Sequence, residues 1–314
     1  MHGNSEFNIK TGEALYSEKG KQITNAVFGE GPKDKDQLGL GVYSQYGKAS
    51  EGFNISSCQF ALHYFFKDKR TLNNFIRNVS ECTKVNGYFV GGCYNGSLIF
   101  DALHGKEMGE SVSIFEDNKK IWQVTKGYTN SHFDNDETSL GYAIDVYQET
   151  INKTFREYLV NFDYLNRIME NYGFTQLTRD ECSEIGIPSS VGSFQQLYGL
   201  MDQEISKNPK KKRDYGSSLN MTPNEKKISF YNNYFIYKKT RNVDTISVFN
   251  TLIGSSKLQE HLNKLEEDEV TENIEKDVAK QNKKVKAPKK LSKKLKLKQN
   301  SKDSTDSKDS RDSK

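Results

Sequence analysis

The stretch GFNISSCQFALHY at 52–64 is β-rich and almost continuously apolar, the pattern of a strand buried on both faces of a parallel sheet. The next residues change period. Leu72, Phe75, Ile76, Val79 and Cys82 recur at spacings of three and four, which predicts an amphipathic helix with Asp68 as its N-cap. Asn86-Gly87 breaks that pattern, and GYFVGGCY at 87–94 reads as the next buried strand. Strand, helix and strand in about forty residues make a βαβ unit with a right-handed crossover.

The middle of the chain has another rhythm. VSIFE (112–116), IWQVTK (121–126) and GYAIDVY (141–147) predict short antiparallel strands between polar turns. A helix follows at about 161–172, ended by Gly173, and a second amphipathic helix at 192–205. NEKKISFYNNYFIYKKT gives a short helix and a closing strand from Tyr234 to Lys239. The expected architecture is α/β with an antiparallel β insertion.

Composition changes the picture at the C-terminal end. Only 34% of the 314 residues are apolar, low for a chain that folds throughout. Residues 260–314 hold 16 Lys/Arg against 12 Asp/Glu, so the whole chain's net charge of +4 resides there and residues 1–259 are neutral. Nine lysines crowd positions 283–298, followed by a degenerate Lys/Arg-Asp-Ser repeat. Such a segment has no burial to offset its ordering entropy, so a disordered tail is expected from 260, joined by a linker at 243–259 to a body at 1–242. No apolar run is long enough to cross a membrane, and the N-terminus lacks the apolar core of a signal peptide. Cys58, Cys82, Cys93 and Cys182 form no CxxC pair and sit in apolar or periodic stretches, which predicts reduced, buried thiols, no metal framework and an intracellular protein.

Candidate chemistry is sparse. The glycines of LGLGVYSQYGKASEG (Gly39, Gly41, Gly47) lack a strand feeding them and a helix leaving them, so a surface connection is the expectation. GGCYNG at 91–96 follows a strand but reads as a turn into a short helix. Gln59, His63 and Tyr64 fall at the C-terminal end of the first strand, where open α/β sheets bind ligands. Glu157 leads the apolar segment of REYLVNF. Taken singly, a His-Tyr pair in an apolar run is more often core, and a strand-end carboxylate is more often solvated.

Together, SCQFALHYFF, NVSECTKVNGYFVGGCYNGSLIF, REYLVNFDYLNRIMENYGF and ISFYNNYFIYKK resemble, in that order, the mRNA cap guanine-N7 methyltransferases. The likeness spans roughly residues 2–242 and is nearest to the multifunctional capping enzymes of large DNA viruses. It implies a class I S-adenosylmethionine-dependent (Rossmann-like) methyltransferase sheet and methyl transfer from S-adenosyl-L-methionine to N7 of the cap guanine of capped RNA. It implies that His63, Glu157 and Tyr234 contact the cap guanine, and that Gln59 and Tyr64 line the cofactor pocket. Asn4 falls where the family usually carries an acidic residue near the adenine. An asparagine still accepts from the adenine amine but brings no charge. N7 has a lone pair and no proton to lose, so no catalytic acid, base or metal is expected.

The family's opening strand, Gly-rich turn and ribose-binding acid have no counterpart in these 314 residues, so the sheet is expected to lack its N-terminal strands. Three arrangements follow from the sequence: part of a longer enzyme, one half of a split enzyme completed by a separate chain or upstream domain, or a non-catalytic RNA-binding or scaffold subunit using the lysine-rich tail. The place of action follows the source, host cytoplasm (viral factory) or virion if viral and nucleus if cellular.

Overall fold

The computed structural model describes residues 3–254, so the expected tail and residues 255–259 of the expected linker lie outside the described residues. Two helices open the chain. In α1 (Glu18–Phe28), Ser17 caps the start by accepting from the Gly20 amide, and Gly29 ends it at φ 80°. Asp34 caps α2 (Lys35–Tyr43), which kinks at Gly39 (φ 75°). The glycine-rich segment therefore begins inside a helix and continues through turns.

β1 (Phe53–Gln59) leads into a 3-10 turn (Leu62–Lys67), then α3 (Lys69–Cys82), β2 (Thr83–Tyr94) and α4 (Gly96–Ala102). Asp68 caps α3 as expected, accepting from the Thr71 amide at 2.8 Å. Leu72, Phe75, Ile76 and Val79 are buried. Four antiparallel strands follow as a separate sheet, β3 (Ser111–Glu116), β4 (Lys119–Lys126), β5 (Ala143–Gln148) and β6 (Lys153–Tyr158). The remaining elements are α5 (Phe162–Asn171), β7 (Phe174–Gln176), α6 (Arg179–Glu184), β8 (Val191–Ser193), α7 (Phe194–Lys207), a second 3-10 segment (Pro209–Asn220), α8 (Pro223–Ser229) and β9 (Asn232–Lys239).

The first sheet runs β1-β2-β9-β7, with β8 also on β9. β1 and β2 are parallel, as the βαβ reading requires, and β9 is antiparallel to β2. The architecture is thus α/β with an antiparallel insertion. α3 and α5 pack Leu72, Phe75, Ile76, Leu165 and Met169 in one cluster with Phe89 of β2 and Phe235 of β9. A second cluster joins Ile99 of α4 and its C-cap Leu103 to Ile114, Trp122, Val124, Ile144 and Val146 of the insertion.

Two expectations need correction. The run 52–64 is not one buried strand. β1 ends at Gln59, Phe60 takes a left-handed backbone (φ 50°), and the chain turns. β1 is also an edge strand, with Phe53 and Ile55 43% and 60% exposed, because among the described strands only β2 pairs with it. The apolar character of 60–66 comes from the 3-10 turn, which buries Leu62, His63 and Phe66. Nor does the body end at 242. Residues 245–254 are helical, Asp244 accepts from the Ser247 amide at 3.0 Å, and Val248 and Leu252 pack on the first core.

Close packing between β2 and its neighbours depends on Gly91. A Cβ there would lie 2.1 Å from the Cys58 carbonyl oxygen and 2.3 Å from the Phe235 ring. Backbone and a buried aromatic cannot both withdraw, so Gly91→Ala is expected to cost roughly 3 kcal/mol or more. Urea unfolding checks this; a shift within a few tenths of a kcal/mol would contradict the packing.

Candidate functional site

The turn after β1 and the end of β6 meet around a cavity of about 750 Å³, large enough for a nucleotide-sized ligand. The Phe60 amide donates to the Gly92 carbonyl at 2.7 Å, holding the turn against the C-terminal half of β2. The Gly141 amide donates to the Phe66 carbonyl at 3.0 Å and ties the same turn to the insertion. Gly96 lets the chain leaving β6 pass close: its amide donates to the Val160 carbonyl at 2.9 Å, and a Cβ would lie 2.5 Å from that oxygen. These contacts bring His63 and Glu157 together.

His63 and Glu157 are 4% and 8% exposed, and His63 Nδ1 stands 3.7 Å from Glu157 Oε2. That is too long for a hydrogen bond. Both imidazole nitrogens and Glu157 Oε2 are buried with no hydrogen-bond partner among the described residues. Burial pushes the His63 imidazole down to about 4 and the Glu157 carboxyl up to about 7. At neutral pH the histidine is uncharged, so the contact is not an ion pair. Three other carboxylates line the cavity, and each is engaged. Glu149 pairs with Lys119, Glu116 accepts from the Thr222 hydroxyl at 3.0 Å, and Glu225 accepts from the Thr222 amide at 2.8 Å.

The walls are aromatic. Tyr64 packs edge-on against His63, 4.3 Å between ring centroids, and Phe60 edge-on against Phe194 at 6.1 Å. Phe60 and Tyr64 stay 54% and 42% exposed toward the opening. Tyr94 accepts from Trp122 Nε1 and Gln148 Nε2, both at 3.0 Å, which uses both lone pairs of its oxygen and leaves its own O–H as a donor at the cavity wall. Asn232, at the start of β9, completes the lining, its amide nitrogen donating to the Ser229 carbonyl at 3.0 Å.

Of the six residues singled out from the sequence, His63, Glu157 and Tyr64 line this cavity. Burial, and then the Glu157 charge, raise the Tyr64 hydroxyl, which places Tyr64 beside the same carboxylate. Tyr234 is absent from the lining; it is buried, and its hydroxyl donates to the Ser189 carbonyl at 2.9 Å. Gln59 sits exposed at the end of β1, its amide nitrogen donating to the Ser57 hydroxyl at 3.1 Å. Asn4 lies in the N-terminal segment, accepting from the Glu6 amide at 3.0 Å. Phe60, Tyr94, Trp122, Phe194 and Asn232 escaped the sequence reading. Tyr94 had a signal, since it ends a strand in the same sense that Gln59 does.

A buried acceptor beside a buried neutral imidazole between aromatic faces suits a flat heterocycle with two N–H donors next to one acceptor. For S-adenosyl-L-methionine the fit to this cavity is incomplete: of Asn4, Gln59 and Tyr64, only Tyr64 lines it.

Residues 6–240 match the family model of the mRNA (guanine-N(7))-methyltransferase domain. The protein described as "Probable mRNA-capping enzyme" of Acanthamoeba polyphaga mimivirus is 27% identical over 210 residues, covering 61% of this chain and 18% of that protein. The mRNA cap guanine-N(7) methyltransferases of Aspergillus niger and Eremothecium gossypii are 23% and 28% identical, covering 55% and 48% of this chain and 26% and 34% of theirs. The chain thus spans well under half the length of these relatives. Among solved structures, the CcbJ methyltransferase of Streptomyces caelestis aligns over 61% of this chain and 59% of its own at 8% identity and a TM-score of 0.31. An S-adenosylmethionine-dependent methyltransferase of Clostridium acetobutylicum aligns over 52% and 63% at 12% identity and 0.27.

The buried pair makes stability depend on pH in both directions. Because Glu157 holds its proton more tightly folded than unfolded, its stabilising contribution is present below about 4.5 and lost as pH rises through about 7. His63 holds its proton less tightly folded, so its contribution is present above 6.5 and lost as pH falls through about 4. Glu157→Gln is therefore expected to raise stability by about 1–3 kcal/mol at pH 8, with the gain vanishing toward pH 4.5. Urea midpoints at both pH values test it; no gain at pH 8 would mean the carboxylate is solvated.

Proposed function

From the premise that this chain belongs to the mRNA (guanine-N(7))-methyltransferase domain family, we propose that the cavity holds the cap guanine of capped RNA and presents its N7 for methylation, with S-adenosyl-L-methionine as methyl donor. The observation carrying this reading is the unpartnered His63–Glu157 pair. Guanine offers N1–H and the exocyclic amine as two parallel donors for the Glu157 carboxylate, and O6 as an acceptor for the one N–H of neutral His63. Binding satisfies polar groups that otherwise stay desolvated and unpaired. Phe60 and Tyr64 give the base flat surfaces to lie against.

N7 attacks with a lone pair and releases no proton, so none of these residues acts as acid or base. They fix the ring in its plane and exclude water, and alignment alone is worth roughly 7–11 kcal/mol in such a step. Methylation leaves the purine cationic, and the ionised Glu157 stabilises that charge as it develops. Tyr234, Gln59 and Asn4 keep the roles the resemblance gives them as part of the proposal, with the last two on the donor side.

The donor side needs more than the described residues provide. The open edge of β1, with Phe53 and Ile55 exposed, supports completion of the sheet there by a further polypeptide, upstream in a longer protein or on a separate chain. The protein acts on intracellular RNA. No helix among the described residues is long and apolar enough to cross a membrane.

Trp122, the chain's single tryptophan, lines the cavity and supplies the signal for a titration. A guanosine cap dinucleotide is expected to change its fluorescence saturably, and the adenosine counterpart is not. Glu157→Ala is expected to weaken the guanine ligand about 10–100-fold, the loss of charge-assisted hydrogen bonds. With a complementary N-terminal half supplied, the same variant is expected to lose cap methylation while the donor still binds. Equal binding of both dinucleotides, or full activity of the variant, would end this assignment.

A further inference from the structure

Among the described residues outside the cavity, the second 3-10 segment is a strongly basic, exposed stretch. Between residues 207 and 214 the chain carries Lys207, Lys210, Lys211, Lys212 and Arg213 against the single acid Asp214. All of these side chains are exposed. Lys211 pairs with Glu204 of α7, and the Tyr215 hydroxyl donates to the same carboxylate, so the segment is pinned to the helix. Lys210, Lys212 and Arg213 have no ion-pair partner among the described residues. Lys226 of α8, over the Tyr198 ring of α7 at 4.5 Å, adds a further cation between the flanking helices.

Both flanks of this segment belong to the cavity. α7 starts at Phe194, and α8 with its N-cap Thr222 contributes Thr222, Glu225, Ile228 and Ser229, all lining residues. The 14 residues of α7 span about 20 Å, which sets the cluster's distance from the cavity along that helix. A polymer whose first base is seated against Phe60 and Tyr64 covers that distance within a few nucleotides.

We propose that Lys210, Lys212 and Arg213 bind backbone phosphates of the RNA body a few nucleotides downstream of the cap, without reading its bases. The inference rests on the cap reading above for its direction of travel. Its physical content is separate: three cations held on a pinned segment, free to neutralise phosphate and release counterions. It also divides the labour. The cavity selects guanine, and the segment makes a capped RNA a better ligand than a free cap nucleotide.

The test uses the full chain and three probes: the cap dinucleotide, a capped RNA of about ten nucleotides, and the same RNA uncapped. The triple variant Lys210→Ala/Lys212→Ala/Arg213→Ala is expected to bind the dinucleotide as the parent does. For either RNA its log affinity against log salt should be shallower by about 2, from roughly 0.7 per phosphate contact on a single strand. Equivalently, raising salt fourfold should cost the parent roughly 20-fold more affinity than the variant. A control triple at the exposed Lys19, Lys35 and Lys48 should leave the parent slope unchanged. An unchanged slope in the 210/212/213 variant, or an equal loss in the control, overturns the proposal; an acidic protein partner would give the first of these. Failure of the cap reading shows separately, as capped and uncapped RNA binding equally and the dinucleotide not at all.

Discussion

The structure is organised around a buried carboxylate and a buried imidazole that leave each other unsatisfied. Glu157 Oε2 and both nitrogens of His63 lack partners, and 3.7 Å separates the two groups. Desolvation without compensation costs about 1–3 kcal/mol per polar group, so the surroundings must hold the pair in place. A soft scaffold would let Glu157 swing to solvent or to the Tyr94 hydroxyl. Here the turn bearing His63 is fastened to β2 and to the insertion by the Phe60 and Gly141 amides. Glu157 is set by its place opposite Ile144 in the β5–β6 register.

That fastening explains why the two sheets meet where they do. The insertion contributes Trp122, Val146, Gln148 and Glu157 to the cavity, and the parallel pair contributes Phe60, His63, Tyr64 and Tyr94. Close backbone approaches join the halves. Gly96 at the start of α4 admits Val160, and Gly91 admits Phe235 beneath β2. Each glycine admits backbone or a ring that a Cβ would displace. Of the three glycines in GGCYNG, Gly91 within β2 and Gly96 at the start of α4 serve this packing.

Legibility in the sequence followed the strength of local periodicity. α3 was readable because five apolar positions repeat on one face and Asp68 precedes them. α5 ended at Gly173 for the same kind of reason, φ being 88° there. β1 misled because continuous apolarity marks burial in general, and residues 60–66 are buried by a turn, a case that periodicity does not separate from a strand. β6 was invisible: four exposed residues precede Glu157, with no alternation to signal a strand. Glu157 looked like a solvated end charge until the β5–β6 pairing turned it inward. The helix at 245–254 carries Ile246, Val248, Phe249, Leu252 and Ile253 at helical spacing, a pattern present in the sequence, and Val248 and Leu252 pack it on the core. The resemblance assigns Tyr64 to the cofactor pocket, and the fold sets it in the turn after β1, where it lines the same cavity as Glu157.

The proposed acceptor and donor sites obey different physical requirements. In that proposal guanine is recognised along an edge, by the buried Glu157 carboxylate and His63 imidazole, whose positions are fixed by side-chain packing. Holding a nucleoside donor at the end of a parallel sheet instead requires backbone from two adjacent strands and an acid on the farther one. β1 supplies one wall of such a crevice, and its outer edge is open. In the proposed reaction alignment carries the step, so the turn that bears Phe60, His63 and Tyr64 has to be held rigidly. The left-handed Phe60 (φ 50°) follows the last residue of β1 and lines the cavity, while Gln59 before it stays exposed.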